Sequence, residues 1–252
     1  MDSIKKENFE CVRDGLTIRG LYYRPQGQDL PIAIVSHGFT SNYQTTKGYA
    51  KWFAAHGYAA FCFDFNGGGL PSKSDGDTEK MTIFTEEKDL KAVVAYARSL
   101  PETDGSAVTL MGCSQGGVVS GLVAADLQEQ VERLILFYPA LCIPDDARAG
   151  TMIHAKFDPA NIPETFSCGP MKLGRDYAAS VQNFDLMGEI SRYAGKVLIV
   201  HGTADQIVNY RYSEQAQVAY PNAELKLIPM AQHGFSKEHE QTALAYVEQF
   251  IQ

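Results

Sequence analysis

Gly112-Cys113-Ser114-Gln115-Gly116-Gly117 is the segment that most restricts what this chain can become. It follows an apolar run, Ala107–Met111 (AVTLM), and precedes a stretch of small residues, Val118–Ala125. A strand that turns sharply into a helix at a serine flanked by glycines holds its hydroxyl in the strained turn a nucleophile requires. Side chains at positions 112 and 116 would collide with the crossing strand and helix, which accounts for the glycines. Ser114 is the candidate nucleophile.

The surroundings repeat a βα rhythm, which predicts an α/β fold with a mostly parallel sheet flanked by helices. Asp14-Gly15 reads as a hairpin turn between Phe9–Arg13 and Thr17–Tyr23. Strands are expected at 32–36, 58–65, 107–111, 134–138, 197–200 and 225–228. Helices are expected at 49–56, 86–100, 115–126, 212–220 and from about 237 to 250. Between Pro139 and about Met187 the rhythm breaks, with prolines at 144, 159, 163 and 170 and no clean strand. A connection that long usually covers something. The expected organisation is a core in two parts, 1–138 and 188–252, with a small lid, 139–187, inserted before the last two strands.

A serine needs a base, and the base needs an orienting acid; in such folds they follow in the order serine, acid, histidine. Val197–Val200 leads into His201-Gly202-Thr203-Ala204-Asp205, and Leu225–Ile228 into Pro229-Met230-Ala231-Gln232-His233. Asp205 and His233 are therefore the candidate partners. His56, His154 and His239 fall in helices or in the irregular stretch, and His201, which precedes the acid, is given a structural role. His37-Gly38-Phe39-Thr40 follows the strand at 32–36, where a loop that binds a negative oxygen would begin. The backbone N–H groups of Phe39 and Gln115 are the expected donors to it.

Composition narrows the partners. In 252 residues, 22 basic side chains face 30 acidic ones, for a net charge of −8. Nothing in that balance favours a nucleic acid. Met1–Glu10 has no apolar run of the length a signal peptide or membrane helix needs, so no membrane partner is expected and the chain reads as cytoplasmic. The five scattered cysteines form no CxxC pair, so neither a metal site nor a disulfide framework is expected. A small-molecule ester is the expected partner, with no cofactor; a homodimer stays open.

Together, HGFTSN, GCSQGG, HGTAD and QHGF make the chain similar to α/β hydrolases over nearly its full length. It resembles more closely the bacterial feruloyl (cinnamoyl) esterases, through HGFTSN followed by FDFNGGG and SDG. The segments PALCIPDDARAG, KFDPANIP and LGRDY resemble that family's lid. The resemblance implies a serine carboxylesterase for hydroxycinnamate esters, working through an acyl-enzyme. It also implies that an acidic residue and a tyrosine of the lid contact the substrate's phenol. By position these are Asp146, with Asp145 as its neighbouring alternative, and Tyr177. The two aspartates after Pro144 could equally cap a helix. Two departures stand out: Gly67-Gly68-Gly69 replaces the usual Gly-His-Gly, and Ile153 occupies a lid position that is often polar. A monoacylglycerol lipase, a general short-chain esterase and a C–C hydrolase or lyase remain alternatives. A peptidase is disfavoured, since no acidic cluster is evident to hold a peptide amine. A ligand-binding protein without catalysis is the alternative of another class, and an intact triad argues against it.

Overall fold

A computed structural model describes residues 4–252; of the opening stretch Met1–Glu10, residues 1–3 lie outside the described residues. The chain begins with a hairpin, β1 (Lys5–Arg13) and β2 (Leu16–Arg24), paired in register from Lys5↔Arg24 to Arg13↔Leu16. Asp14 and Gly15 both have positive φ, 50° and 81°, as a two-residue turn that follows the strand twist requires.

There follow β3 (Leu30–Ser36), α1 (Tyr43–Ala55), β4 (Ala59–Phe63), α2 (Ile83–Arg98), β5 (Thr103–Cys113), α3 (Gln115–Leu127) and β6 (Val131–Phe137). After the intervening segment come β11 (Lys196–Gly202), α7 (Arg211–Ala219), β12 (Ala223–Ile228) and α8 (Lys237–Ile251). The eight strands form one sheet in the order β1-β2-β4-β3-β5-β6-β11-β12. Only the β1–β2 and β2–β4 pairs are antiparallel. The central strands β3 and β4 are apolar on both faces because helices cover both.

Two helices begin earlier than periodicity predicts, and local polar contacts explain both. Asn42 Oδ1 caps α1 by accepting from the Gln44 N–H, and Asp64 Oδ1 accepts from the Tyr43 N–H at 2.7 Å. Thr82 and Thr85 form a reciprocal capping box that starts α2 at Ile83 rather than at Glu86. α3 has no polar face: every residue from Gln115 to Ala125 is buried, which explains its run of Gly, Ala and Val.

The segment between β6 and β11 corrects the expectation of no clean strand. It holds α4 (Ile143–Ala149) and a hairpin of β7 (Thr151–Met152) with β8 (Ala155–Lys156). A second hairpin joins β9 (Thr165–Cys168) to β10 (Met171–Gly174), followed by α5 (Asp176–Ala179) and α6 (Leu186–Ile190). These strands are two to four residues long, too short to leave an alternation in the sequence.

Candidate active site

Ser114 lies between β5 and α3 with φ 54° and ψ −120°, a backbone conformation that is rare for a side-chain-bearing residue. Its N–H donates to the Phe137 carbonyl, and its own carbonyl accepts from Gly117 and Ala140. The flanking glycines are obligatory. A Cβ on Gly112 would lie 2.1 Å from the Gly116 oxygen, and one on Gly116 would lie 2.3 Å from the His37 oxygen.

The structure brings Ser114, Asp205 and His233 together from the ends of β5, β11 and β12. His233 Nε2 is 3.0 Å from Ser114 Oγ, and His233 Nδ1 is 2.7 Å from Asp205 Oδ2. Asp205 accepts only, so His233 carries its proton on Nδ1 and presents the Nε2 lone pair to the serine hydroxyl. Asp205 Oδ1 also accepts from the Ile207 and Val208 N–H groups, both at 2.9 Å. Its Oδ2 takes a further bond from His201 Nε2 at 3.1 Å. Burial alone would raise this carboxyl's pKa, but the bonds from His201, His233 and Val208 outweigh it and hold the group well below the usual carboxylate range.

His201 thus has an orienting role toward Asp205. Its Nδ1 lies 2.7 Å from Ser213 Oγ and accepts that hydroxyl's proton, which leaves Nε2–H to donate. The other histidines lie elsewhere: His56 stacks on Trp52, His154 sits in the β7–β8 turn, and His239 begins α8.

Phe39 and Gln115 face the same space as Ser114. No backbone carbonyl among the described residues takes up either N–H. The Phe39 loop is fixed from behind by His37, a residue whose role the sequence reading did not assign. His37 Nδ1 donates to the Gly38 carbonyl at 2.8 Å, and Nε2 accepts from the Phe65 N–H at 3.2 Å. Burial lowers the pKa of this imidazole and keeps it neutral, as accepting at Nε2 requires. Thr40 pairs with Gly69, so the glycine-rich loop braces the same turn. A Cβ on Gly68 would meet Glu86 Oε1 at 2.5 Å, so the Gly67-Gly68-Gly69 departure leaves this wall closely packed on Glu86.

Glu86 was also missed in the sequence. It is fully buried in α2 and accepts from Gln115 Nε2 at 2.8 Å, while Gln115 Oε1 accepts from the Tyr177 hydroxyl at 2.6 Å. Burial, opposed by the Gln115 bond and aided by nearby Asp89, pushes the Glu86 pKa well up. Cys113, beside the nucleophile, is held as a neutral thiol by burial, its pKa pushed up to about 12.

A cavity of about 50 Å³ opens at Ser114 toward the segment between β6 and β11, and both Asp146 and Tyr177 line it. Apart from Gln115, its other walls are apolar, among them Ile143, Met152 and Ile153. The two aspartates of α4 part company. Asp145 faces out, bonded to Arg148 and to the Tyr212 hydroxyl, whereas Asp146 faces the cavity. Neither side chain caps the helix. Burial raises the Asp146 pKa despite a bond from Cys142, and Asp145 adds to the rise. Among the described residues no three His, Cys, Asp or Glu side chains gather as a metal site. No helix among them is long and apolar enough to cross a membrane.

Comparison with known proteins agrees with this fold. The model of the Hydrolase_4 family, described as serine aminopeptidase S33, matches residues 29–165. A structure of Est1E from Butyrivibrio proteoclasticus with ferulic acid bound is 30% identical. It superposes with a TM-score of 0.89, covering 96% of this chain and 98% of that one. An esterase of Pyrococcus furiosus, Pf2001, is 19% identical with a TM-score of 0.75, covering 98% of this chain and 92% of that one, which is a likeness of fold alone. The quorum-quenching protein AidA of Acinetobacter baumannii is 35% identical over 99 residues. That stretch is 38% of this chain and 31% of the relative, so the chain matches about a third of AidA's length.

Proposed function

Because this chain belongs to the Hydrolase_4 family of α/β hydrolases, we propose that it is a serine carboxylesterase whose preferred acyl group is a hydroxycinnamate. The observation that carries the reading is the unbroken line Asp205–His233–Ser114 beside two free N–H groups. Ser114 Oγ attacks the ester carbonyl as its proton passes to His233 Nε2. The negative oxygen that forms is met by the Phe39 and Gln115 N–H groups, each of the kind whose loss costs roughly 100- to 1,000-fold in rate. His233 then returns the proton to the departing alkoxide, and a water activated by the same nitrogen releases the acid.

The acyl group occupies the cavity toward Asp146, with the segment 139–187 as its lid. There Asp146 or the lone pairs of Tyr177 accept the proton of a phenol. The Est1E complex with ferulic acid supports this choice, as does the apolar lining. A dry cavity that admits benzene measures about 150 Å³. The roughly 50 Å³ free here means that the β7–β8 hairpin, which carries Met152 and Ile153, must yield as an aromatic acyl group seats.

The family description names aminopeptidases, but a peptide's ammonium group would find only Asp146 charged on this side. Burial raises that carboxyl's pKa, which weakens a lone carboxyl as partner for an ammonium group, so an ester is preferred. The test compares kcat/KM for methyl ferulate, methyl cinnamate, p-nitrophenyl butyrate, a monoacylglycerol and an aminoacyl anilide on one preparation. Preference for methyl ferulate supports the reading. Turnover of the anilide alone would replace it with the peptidase.

A further inference from the structure

Asp205 and Ser114 hold His233 at its two nitrogens, at 2.7 Å and 3.0 Å. Two hydrogen bonds so placed fix a line through the imidazole but not its tilt about that line. The tilt needs a contact on the ring itself, and Tyr138 supplies one. Its ring centroid lies 4.7 Å from that of His233, with the planes at 58°. Phe235, two residues on in the same loop, packs perpendicular to Tyr138 at 4.8 Å. One buried ring thus holds two side chains of the loop that carries the general base.

Tyr138 is itself fixed. It directly follows β6, and its N–H donates to the Val200 carbonyl of β11 at 2.8 Å. Its φ of 37° is rare for a side-chain-bearing residue, and such strain persists where the surroundings impose it. Burial, with Cys113 and Tyr49 beside the hydroxyl, pushes the phenol's pKa well up, so the ring stays neutral.

The charge on His233 changes during the reaction. The imidazole is neutral while it waits for the serine proton and becomes a cation as the proton arrives. The face of a neutral aromatic ring attracts a cation within about 6 Å of its centroid, most strongly where water is excluded. A contact that strengthens only as the charge forms lowers the barrier and leaves substrate binding unchanged.

We propose that Tyr138 is a positioning residue for His233, holding the imidazole on the line between Asp205 and Ser114 and favouring its cationic form through the ring face. The proposal rests on the serine-hydrolase reading above, though not on its acyl preference. Its readouts are the rate at which a fluorophosphonate labels Ser114, and kcat and KM for p-nitrophenyl acetate. Tyr138→Phe retains the ring and should stay close to wild type in both. Tyr138→Leu should lower the labelling rate and kcat by roughly three- to thirtyfold and leave KM unchanged. Leucine also loosens the packing, so fluorinated phenylalanines at position 138 make the deciding series: they keep the shape of the ring while each fluorine weakens its face. From phenylalanine to its 3,4,5-trifluoro form, both rates should fall stepwise by roughly three- to thirtyfold, with Tm unchanged. A series that stays flat or rises overturns the proposal, whatever Tyr138→Leu does. If wild type is neither labelled nor active, His233 is not a general base, and the hydrolase reading falls together with the role of Tyr138.

Discussion

The Tyr177 hydroxyl donates to Gln115 Oε1 over 2.6 Å, joining the wall of the cavity at Ser114 to the residue whose N–H we assign to the oxyanion. Gln115 Nε2 continues the chain to Glu86 in α2, so a contact that looks like substrate recognition also holds Gln115 at the start of α3. Tyr177 has spent its proton and can only accept from a ligand.

This separates the two residues that the resemblance assigned to the phenol. Tyr177→Phe leaves Gln115 Oε1 buried without its donor, so kcat should fall on every substrate, p-nitrophenyl acetate included, by roughly tenfold. Asp146→Ala should lower kcat/KM for methyl ferulate by roughly tenfold and spare p-nitrophenyl acetate, which is too short to reach it. Parallel steady-state assays of the two variants check both outcomes. A uniform loss in Asp146→Ala would mean that the carboxyl is structural.

Glu86 predicts a pH dependence of stability. Its carboxyl pKa is raised in the folded state, chiefly by burial, so above the unfolded value of about 4.3 the unfolded chain gives up this proton first. Stability is therefore lost progressively as pH rises from there toward the folded value. Urea denaturation from pH 5 to 8 should show a shallower decline for Glu86→Gln than for wild type. Identical slopes would show that Glu86 ionises as readily folded as unfolded.

Gly116→Ala places a methyl group 2.3 Å from the His37 carbonyl, backbone against backbone. Overpacking of this kind costs about 1–3 kcal/mol. Thermal unfolding should register the loss, and esterase activity should fall further than stability does, because α3 must shift with Ser114 at its end. An unchanged Tm with full activity would contradict the close crossing of β3 and α3.

Asp205→Asn would put an amide N–H against the histidines or leave one of their protons without an acceptor. The chymotrypsin-type triad loses about 10⁴ in kcat on the equivalent change. A loss of that order is expected here, with a folded protein by circular dichroism. Loss of less than about tenfold would remove Asp205 from the triad.

The parts of the site that were legible in the sequence are those fixed by chain geometry. A serine between glycines at a strand–helix junction, and an acid and a histidine just past later strands, follow from topology, and the distances among Ser114, Asp205 and His233 match it. The supporting shell was not legible. Glu86 looks like a solvent-facing residue in a helix's first turn, and only packing of α2 against α3 buries it beside Gln115. His37 stands at the start of the loop expected to bind the negative oxygen, but no role of its own was legible, because its partner Phe65 lies 28 residues away in another loop. The strands β7 to β10 escaped because pairs of two to four residues carry no periodicity. The earlier starts of α1 and α2 were readable from Asn42 and Thr82, had capping been weighed above the apolar pattern.

The central claim is that Ser114, activated by His233, forms a covalent acyl-enzyme. Intact-mass spectrometry after exposure to a fluorophosphonate tests it directly, since that reagent labels serines only where a base and an oxyanion site act together. The account predicts one adduct per chain, mapped to Ser114 by peptide sequencing and absent from Ser114→Ala, which should stay folded. Failure of the wild-type protein to be labelled, or a label on any residue other than Ser114, would contradict it.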